Sequence, residues 1–311
     1  MSFVHLQPRL SEGRPLILDA DTGASFRARG VELDAPGTLG LLLREQPALV
    51  LSHHRAEVSS RVDVVCALTA DTTPRALAEV GMQHRAAMLT HRAVELAFEA
   101  TQEADRNVVV ASVLGSDMVG PVAADRLHEE LVEHAARLRA AGSELVIARG
   151  QGSRVGLVAA VVAAASLDLP TWAVVECWPG SETERLPLSD LLLALRDAGA
   201  SAVLFEVPAV DTALRNLERS RLALETIGLV PGVLLAASAG ALRGFNDPTA
   251  EPEGWSERAL ELSVAGARII GGGAGTTEAH TRALALALGS LHPSVPTQRS
   301  DASVERGPGG W

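Results

Sequence analysis

Short apolar segments alternate with amphipathic segments along most of the chain. Several of the apolar segments are apolar at nearly every successive position, as expected of strands that are covered on both faces. The segments between them, such as Asp125–Ala141 and Leu188–Ala198, carry apolar residues at helical spacing, with arginine and glutamate on the other face. The pattern predicts eight strands, at Leu16–Asp19, Val62–Leu68, Asn107–Val113, Glu144–Arg149, Thr171–Glu176, Ser201–Glu206, Pro231–Ala236 and Ala267–Gly271.

The repeated order of strand and helix predicts parallel βα units. Glycine follows several predicted helices, as at Gly142 and Gly199, which is a frequent way for a helix to end. Eight such units close into a (β/α)8 TIM barrel more naturally than they form an open sheet, although periodicity alone is compatible with both. We therefore expect an α/β protein with a single barrel domain over residues 14–291. Residues 1–13 and 292–311 are expected to be disordered or loosely attached ends.

Composition and charge narrow the class of partner. The 311 residues carry a formal net charge of -11, which argues against nucleic acid and anionic membranes and favours a small-molecule substrate. The N-terminus lacks the pattern of a signal peptide and no apolar run has membrane-spanning length, so a cytoplasmic location is expected. The two cysteines, Cys66 and Cys177, are too few for a disulfide framework and fit a reducing compartment. Self-association or binding of a partner protein stays open.

The sequence contains no lysine and no tyrosine. Without lysine there is no Schiff-base chemistry, no lysine-bound pyridoxal cofactor and no P-loop nucleotide site, and without tyrosine there is no phenolic general acid. Carboxylates, histidines and arginines are left as the candidates for catalysis and binding.

Acidic side chains lie at or just past the predicted strand ends, which form the active face of a barrel. They are Asp19, Asp21, Asp71, Asp117, Glu176 and Glu206. Glu176 and Glu206 follow apolar strand residues, so we expect both in a pocket and assign them as candidate catalytic groups that act on protons. Asp71 and Asp117 suit helix caps or solvated loops equally well.

Three further features have a functional and a structural interpretation. His53 and His54 invite a metal-binding interpretation, but adjacent histidines on one segment point in different directions, which favours a structural or surface role. Trp178 is a candidate for stacking on a substrate, or equally a lid or core residue. Cys177 is a candidate nucleophile beside Arg149, although a small buried thiol is the commoner case.

Several strand ends resemble the motifs of one known family. Leu-Ile-Leu-Asp-Ala-Asp-Thr-Gly-Ala at residues 16–24 resembles Leu-Leu-Asp-Gly-Gly-x-Gly-Thr, and Pro47–Asp63 resembles the segment that follows it. Residues 266–280, Gly-Ala-Arg-Ile-Ile-Gly-Gly-Gly-Ala-Gly-Thr-Thr-Glu-Ala-His, resemble Gly-Ala-x-Ile-Ile-Gly-Gly-Cys-Cys-Gly-Thr-Thr-Pro-x-His. These are motifs of the homocysteine S-methyltransferase family, and the resemblance spans residues 14–290.

The resemblance implies a barrel enzyme of methionine metabolism that transfers a methyl group, with S-adenosylmethionine or S-methylmethionine as donor. It places substrate contacts at Asp19, Asp21, Gly23, Gly272 and Gly273. Trp178 and Arg149 complete the residues that we expect to bind substrate.

The departures from the family pattern concern its zinc site. The family holds zinc with three thiolates, and the zinc ionises the thiol of homocysteine. The resemblance aligns two of those thiolates with Gly273 and Ala274, and the third with the end of the sixth strand, where Phe205-Glu206-Val207 stands for Val-Asn-Cys. No thiolate site is left, so zinc is not expected there.

A second departure inverts a charge. The family's fourth strand ends in a glutamate that binds the substrate amino group, whereas this chain has Arg149, which prefers a carboxylate or phosphate. Alternatively, Arg149 neutralises Glu176 in a structural ion pair. Two functions follow: a small-molecule methyltransferase with an altered substrate or mechanism, or a non-catalytic barrel that binds a small ligand or a partner protein.

Overall fold

Eight parallel strands form a closed barrel in the order of the sequence. The computed structural model describes residues 6–11, 14–33, 35–115, 122–150, 152–178, 181–182, 187–237 and 251–291. The strands are β1 (Leu16–Leu18), β2 (Val64–Ala67), β3 (Val109–Gly115), β4 (Leu145–Arg149), β5 (Thr171–Glu176), β6 (Ala202–Val207), β7 (Val230–Leu235) and β8 (Ile269–Gly272). The first strand pairs with the last, Leu16 beside Ile269, which closes the barrel and confirms the predicted fold.

Helices surround the barrel and follow the strands in the predicted alternation. They are α1 (Leu6–Ser11), α2 (Thr22–Ala28), α3 (Thr38–Glu45), α4 (Pro47–Ser59), α5 (Pro74–Ala78), α6 (Ala86–Thr101), α7 (Ala124–Ala140), α8 (Arg154–Ala165), α9 (Leu188–Asp197), α10 (Val210–Ile227), α11 (Pro252–Val264) and α12 (Glu278–Leu291). Among the described residues, none of the helices is long and apolar enough to cross a membrane.

Alternate residues of each strand point into the barrel, and the others face the helices. Leu18, Val64, Ile147 and Trp172 belong to the inner cluster, in which Trp172 is buried. The neighbouring residues, such as Val65 and Val175, pack between sheet and helices. Both faces of every strand are thus apolar, which explains why the strands appear in the sequence as nearly continuous apolar runs.

The first helix differs from the prediction for residues 1–13. Leu6–Ser11 form α1 instead of a disordered end, and Leu6 is buried against the inner cluster of the barrel. Arg9 forms an ion pair with Asp63, whose other carboxylate oxygen accepts a 2.8 Å hydrogen bond from the backbone N–H of Ile17. Apolar burial and this ion pair hold α1 at the amino ends of β1 and β2. Residues 1–5 and 292–311 lie outside the described part of the chain.

Candidate active site at the carboxyl ends of the strands

A cavity of about 480 Å³ opens at the carboxyl ends of the strands. It is lined by all but two of the residues predicted to bind substrate or act on it, namely Asp19, Asp21, Gly23, Arg149, Glu206, Gly272 and Gly273. The two exceptions are Glu176 and Trp178. Asp71, which the sequence left open as a site residue or a helix cap, also lines the cavity. Asp117 lies outside the described residues.

An ion pair between Arg149 and Glu206 crosses one wall of the cavity. By strand alternation, Ile147 and Leu204 point inward, so Arg149 and Glu206, two residues further along their strands, also point inward. Arg149 Nη1 lies 2.8 Å from Glu206 Oε2, and Arg149 Nη2 lies 3.4 Å from Glu206 Oε1. The guanidinium is therefore already neutralised by a carboxylate of the protein, which is Glu206 and not the expected Glu176.

Glu176 lies beside this ion pair but lines a separate narrow cleft. It is the register neighbour of Glu206, and the cleft is shared with Gly152 and Ser153. Burial, followed by the negative charge of Glu206, raises the pKa of Glu176. The positive charge of Arg149 opposes the increase, as do hydrogen bonds from the Trp178 side chain and the Gly152 backbone. The sequence predicted that Glu176 shares one cavity with Arg149 and Glu206. In the structure, Arg149 and Glu206 line the cavity and Glu176 lines the neighbouring cleft.

Trp178 faces a groove between α9 and α10 instead of the cavity. Leu188 of α9 and Arg219 of α10 line the same groove, together with Cys177. Because the side chain of Trp178 hydrogen-bonds to Glu176, its observed contact is to a carboxylate of the protein. The thiol of Cys177 donates to the carbonyl oxygen of Val175, 3.4 Å away, which fits the structural role that the sequence favoured over that of a nucleophile.

Asp19 is a buried carboxylate that faces the cavity. Only 3% of the residue is exposed, and Oδ2 accepts a 2.6 Å hydrogen bond from the backbone N–H of Cys66. Burial raises the pKa of Asp19 to about 6, against the lowering effect of the hydrogen bonds from Cys66. Asp19 forms no ion pair with any of the residues that the structure describes.

Asp21 ties the end of β1 to the glycine turn after β8. Its Oδ1 caps α2 by accepting from the backbone N–H of Gly23 at 2.9 Å, and its Oδ2 accepts from the N–H of Gly275 at 3.0 Å. The backbone N–H of Asp21 donates to Thr276 Oγ1, which donates in turn to the carbonyl oxygen of Gly273. Both carboxylate oxygens of Asp21 are thus already engaged by the fold.

Replacing Gly272 with alanine is expected to destabilise the protein by about 2–3 kcal/mol. A Cβ at this position would overlap Thr276 Oγ1 and lie 2.9 Å from the Cα of Ala20, and Thr276 is held by its bonds to Asp21 and Gly273. Urea denaturation measures the loss. The control is Gly254→Ala in α11, where a Cβ meets nothing within 4 Å and which should gain about 0.5–1 kcal/mol. Similar small effects in both variants would contradict the tight turn.

Residues that sequence reasoning missed lie at and behind the cavity. Cys66 and Arg27 line it, and strand alternation from Val64 would have placed Cys66 on the inner face. Glu57, on α4, is fully buried near Asp19, and His54, for which the sequence favoured a structural or surface role, is fully buried on the same helix. Burial lowers the pKa of His54 to about 4, and burial, followed by the charge of Asp19, raises the pKa of Glu57 to about 8.

The positions of the family's zinc ligands offer no metal-binding side chain. Val207 is fully buried between the sheet and the helices, and Gly273 and Ala274 carry no donor atom on their side chains. The backbone N–H of Gly273 is engaged by the carbonyl oxygen of Leu235 at 2.8 Å. Oxygen and hydrocarbon groups alone do not replace three thiolates, so the residues present at these positions do not fit a thiolate-bound zinc ion.

Comparisons with solved structures agree with the barrel. The homocysteine methyltransferase MmuM from Escherichia coli is similar in its metallated form, with a TM-score of 0.74 and 20% identity over 90% of this chain and 98% of that one. Its apo form gives 0.68 and 18%, over 88% and 96%. The carboxyl transferase domain of Rhizobium etli pyruvate carboxylase gives 0.51 and 15%, over 83% of this chain and 40% of that one. At such identities the likeness shows the fold alone.

Comparisons of sequence are more specific. No curated protein sequence matches the chain. Residues 16–288 match the family model described as homocysteine S-methyltransferase, so the match extends from the first strand of the barrel to the last helix. The chain therefore belongs to the homocysteine S-methyltransferase family, a membership that supports a methyltransferase-like function.

Proposed function

We propose that the protein transfers a methyl group from a positively charged sulfonium donor to an acceptor other than a zinc-bound thiol. S-Methylmethionine and S-adenosylmethionine are donors of this class. The observation that carries the proposal is Asp19, a buried carboxylate that faces a closed-ended cavity without a cationic partner among the described residues. A buried charge of this kind is stabilised by a bound cation.

The excess of negative charge on the cavity wall favours a cationic ligand. Asp19, Asp21, Asp71 and Glu206 line the cavity, against Arg27 and Arg149. Because Glu206 already neutralises Arg149, the remaining field is negative. A sulfonium ion would be attracted by it, whereas the neutral thioether left after transfer would not, so the electrostatics favour binding of donor over product.

The chemistry requires one proton acceptor. The acceptor atom attacks the methyl carbon, the carbon–sulfur bond breaks with its electron pair going to sulfur, and the acceptor loses its proton to a base. The carboxylate of Glu206 is already engaged by the Arg149 guanidinium and is therefore poorly placed to accept a proton, whereas the pKa of Asp19, about 6, lies close to neutral pH. Asp19 thus suits the role of base better than the expected Glu206 and Glu176.

Thermal shift with a matched ligand pair tests the cation site. S-Methylmethionine and methionine differ by one methyl group and one positive charge, so S-methylmethionine should bind about 10-fold more tightly, which corresponds to about 1.4 kcal/mol. Asp19→Asn should remove this preference, and Asp211→Asn, at an exposed position in the first turn of α10, should keep it. Equal stabilisation by both ligands in the unmodified protein would contradict the proposal.

Turnover separates an enzyme from a binding protein. Loss of the thiolate positions favours a non-catalytic barrel as the second candidate, and such a protein would bind the sulfonium ligand without releasing demethylated product. Mass spectrometry of a mixture of donor and small hydroxyl, amine and thiol acceptors distinguishes the two. Demethylated donor that appears with the unmodified protein and not with Asp19→Asn supports the methyltransferase.

A further inference from the structure

Three potential metal ligands meet behind the cavity, between α4 and α12. His53 and Glu57 lie one helical turn apart on α4, and Glu278 begins α12. One ring nitrogen of His53 and one carboxylate oxygen from each glutamate lie within 4.8 Å of one another. An ion with ligand distances of about 2.0–2.2 Å holds its ligand atoms no more than about 4.4 Å apart, so small side-chain movements would let the three groups share one ion.

Two of these side chains are buried without normal hydrogen bonds. His53 and Glu57 are both 0% exposed. Neither carboxylate oxygen of Glu57 nor Nε2 of His53 has a hydrogen-bond partner of normal geometry among the described residues; the hydroxyl of Thr281 and the backbone N–H of Ala20 approach Glu57 without reaching that geometry. Buried polar atoms are normally satisfied, so this group of unsatisfied atoms points to a missing ligand.

We propose that His53, Glu57 and Glu278 bind one divalent transition-metal ion between α4 and α12. Imidazole together with carboxylates suits Zn²⁺, Mn²⁺ or Fe²⁺. Glu57 and Glu278 supply two carboxylates, and Glu278 is at the same time paired with Arg29. Arg29 donates to Glu278 Oε1 at 2.6 Å, which fixes the orientation of this ligand.

The site differs in place and chemistry from the family's thiolate position. None of its three residues lines the cavity, so an ion bound there cannot contact a substrate in it. Instead, the ion would join the helix before β2 to the last helix of the barrel, next to the seam at which β1 pairs with β8. Because an ion that links these two helices would cross-link distant parts of the chain, its role would be to stabilise the fold.

Metal titration of the chelator-treated full chain tests the proposal. Calorimetry with Zn²⁺ and with Mn²⁺ should show one site per chain, and the ion should raise the melting temperature. Glu57→Gln should weaken binding at least about 100-fold. Its apo melting temperature should stay near that of the unmodified protein, because the amide has nearly the size and shape of the carboxyl group that it replaces. Glu261→Gln, at an exposed position of α11, is the control and should leave binding unchanged.

A second variant and a spectrum keep the test decisive if Glu57→Gln folds poorly. Glu278→Gln, at a side chain that is 27% exposed, should weaken binding to a similar degree. The Co²⁺ form should show ligand-field bands without a thiolate charge-transfer band, and replacing Cys66 and Cys177 with serine should not alter it. Absence of stoichiometric binding, equal affinity in both glutamine variants and the unmodified protein, or a thiolate band would overturn the site. These readouts do not depend on methyl transfer.

Discussion

Homocysteine is expected to be methylated at less than roughly 1 per second, below the usual range of enzyme turnover. A free thiol with a pKa of about 8.5 is only about 3% thiolate at pH 7. Val207, Gly273 and Ala274 supply no thiolates for a zinc ion that would ionise it, and the proposed ion between α4 and α12 does not reach the cavity. Cys66 offers no help, because burial raises the pKa of its thiol.

The pH profile of homocysteine methylation checks this reasoning. If the acceptor ionises in solution, raising the pH from 7 to 8.5 increases the thiolate fraction from about 3% to about 50%, so the residual rate should increase about 15-fold. Methionine formed from homocysteine and S-methylmethionine is measured by mass spectrometry, with the uncatalysed mixture as control. A rapid rate that does not change over this range would show that the protein itself deprotonates the thiol, and would contradict this prediction.

Replacing Glu206 with glutamine is expected to destabilise the protein by about 3 kcal/mol. The side chain of Glu206 is 7% exposed and that of its partner Arg149 is 28% exposed, so the change leaves a largely buried guanidinium without its counterion. We place the loss at the lower end of the range for buried ion pairs because cavity water reaches part of Arg149. Urea denaturation measures it.

Two controls separate the loss of charge balance from the loss of contacts. The double variant Arg149→Met, Glu206→Leu removes both charges and should recover most of the stability, because apolar side chains of similar volume often replace a buried ion pair without cost. Glu225→Gln removes an exposed partner of Arg221 and should cost less than about 1 kcal/mol. A loss below about 1 kcal/mol for Glu206→Gln would instead indicate that Arg149 is free to bind an anionic ligand.

The eight strands could be predicted from the sequence because each is buried on both faces. A strand of this kind must be apolar at almost every position, so local sequence alone marks it, as in Leu145–Arg149 and Thr171–Glu176. Strand ends could be predicted for the same reason, and with them most of the side chains that line the cavity. The absence of a thiol side chain at Gly273 and Ala274 was likewise visible in the sequence, since residue identity is read directly from it.

Pairing between distant side chains was decided only by the tertiary structure. Strand alternation places Arg149, Glu176 and Glu206 on the inner face, but it does not determine that Arg149 pairs with Glu206 while Glu176 turns into a neighbouring cleft.

The same holds for α1 and for the cluster between α4 and α12. The sequence does not distinguish Leu6 from other apolar residues near a chain end, because the surface that buries it is formed by the barrel strands. His53 and Glu278 come from the first and last units of the barrel, so only the fold brings them together. The sequence by itself determined the strands, their order and the residue types at their ends, because those depend on local burial. Tertiary structure decided the contacts of the charged groups, because these depend on where elements far apart in the chain are packed together.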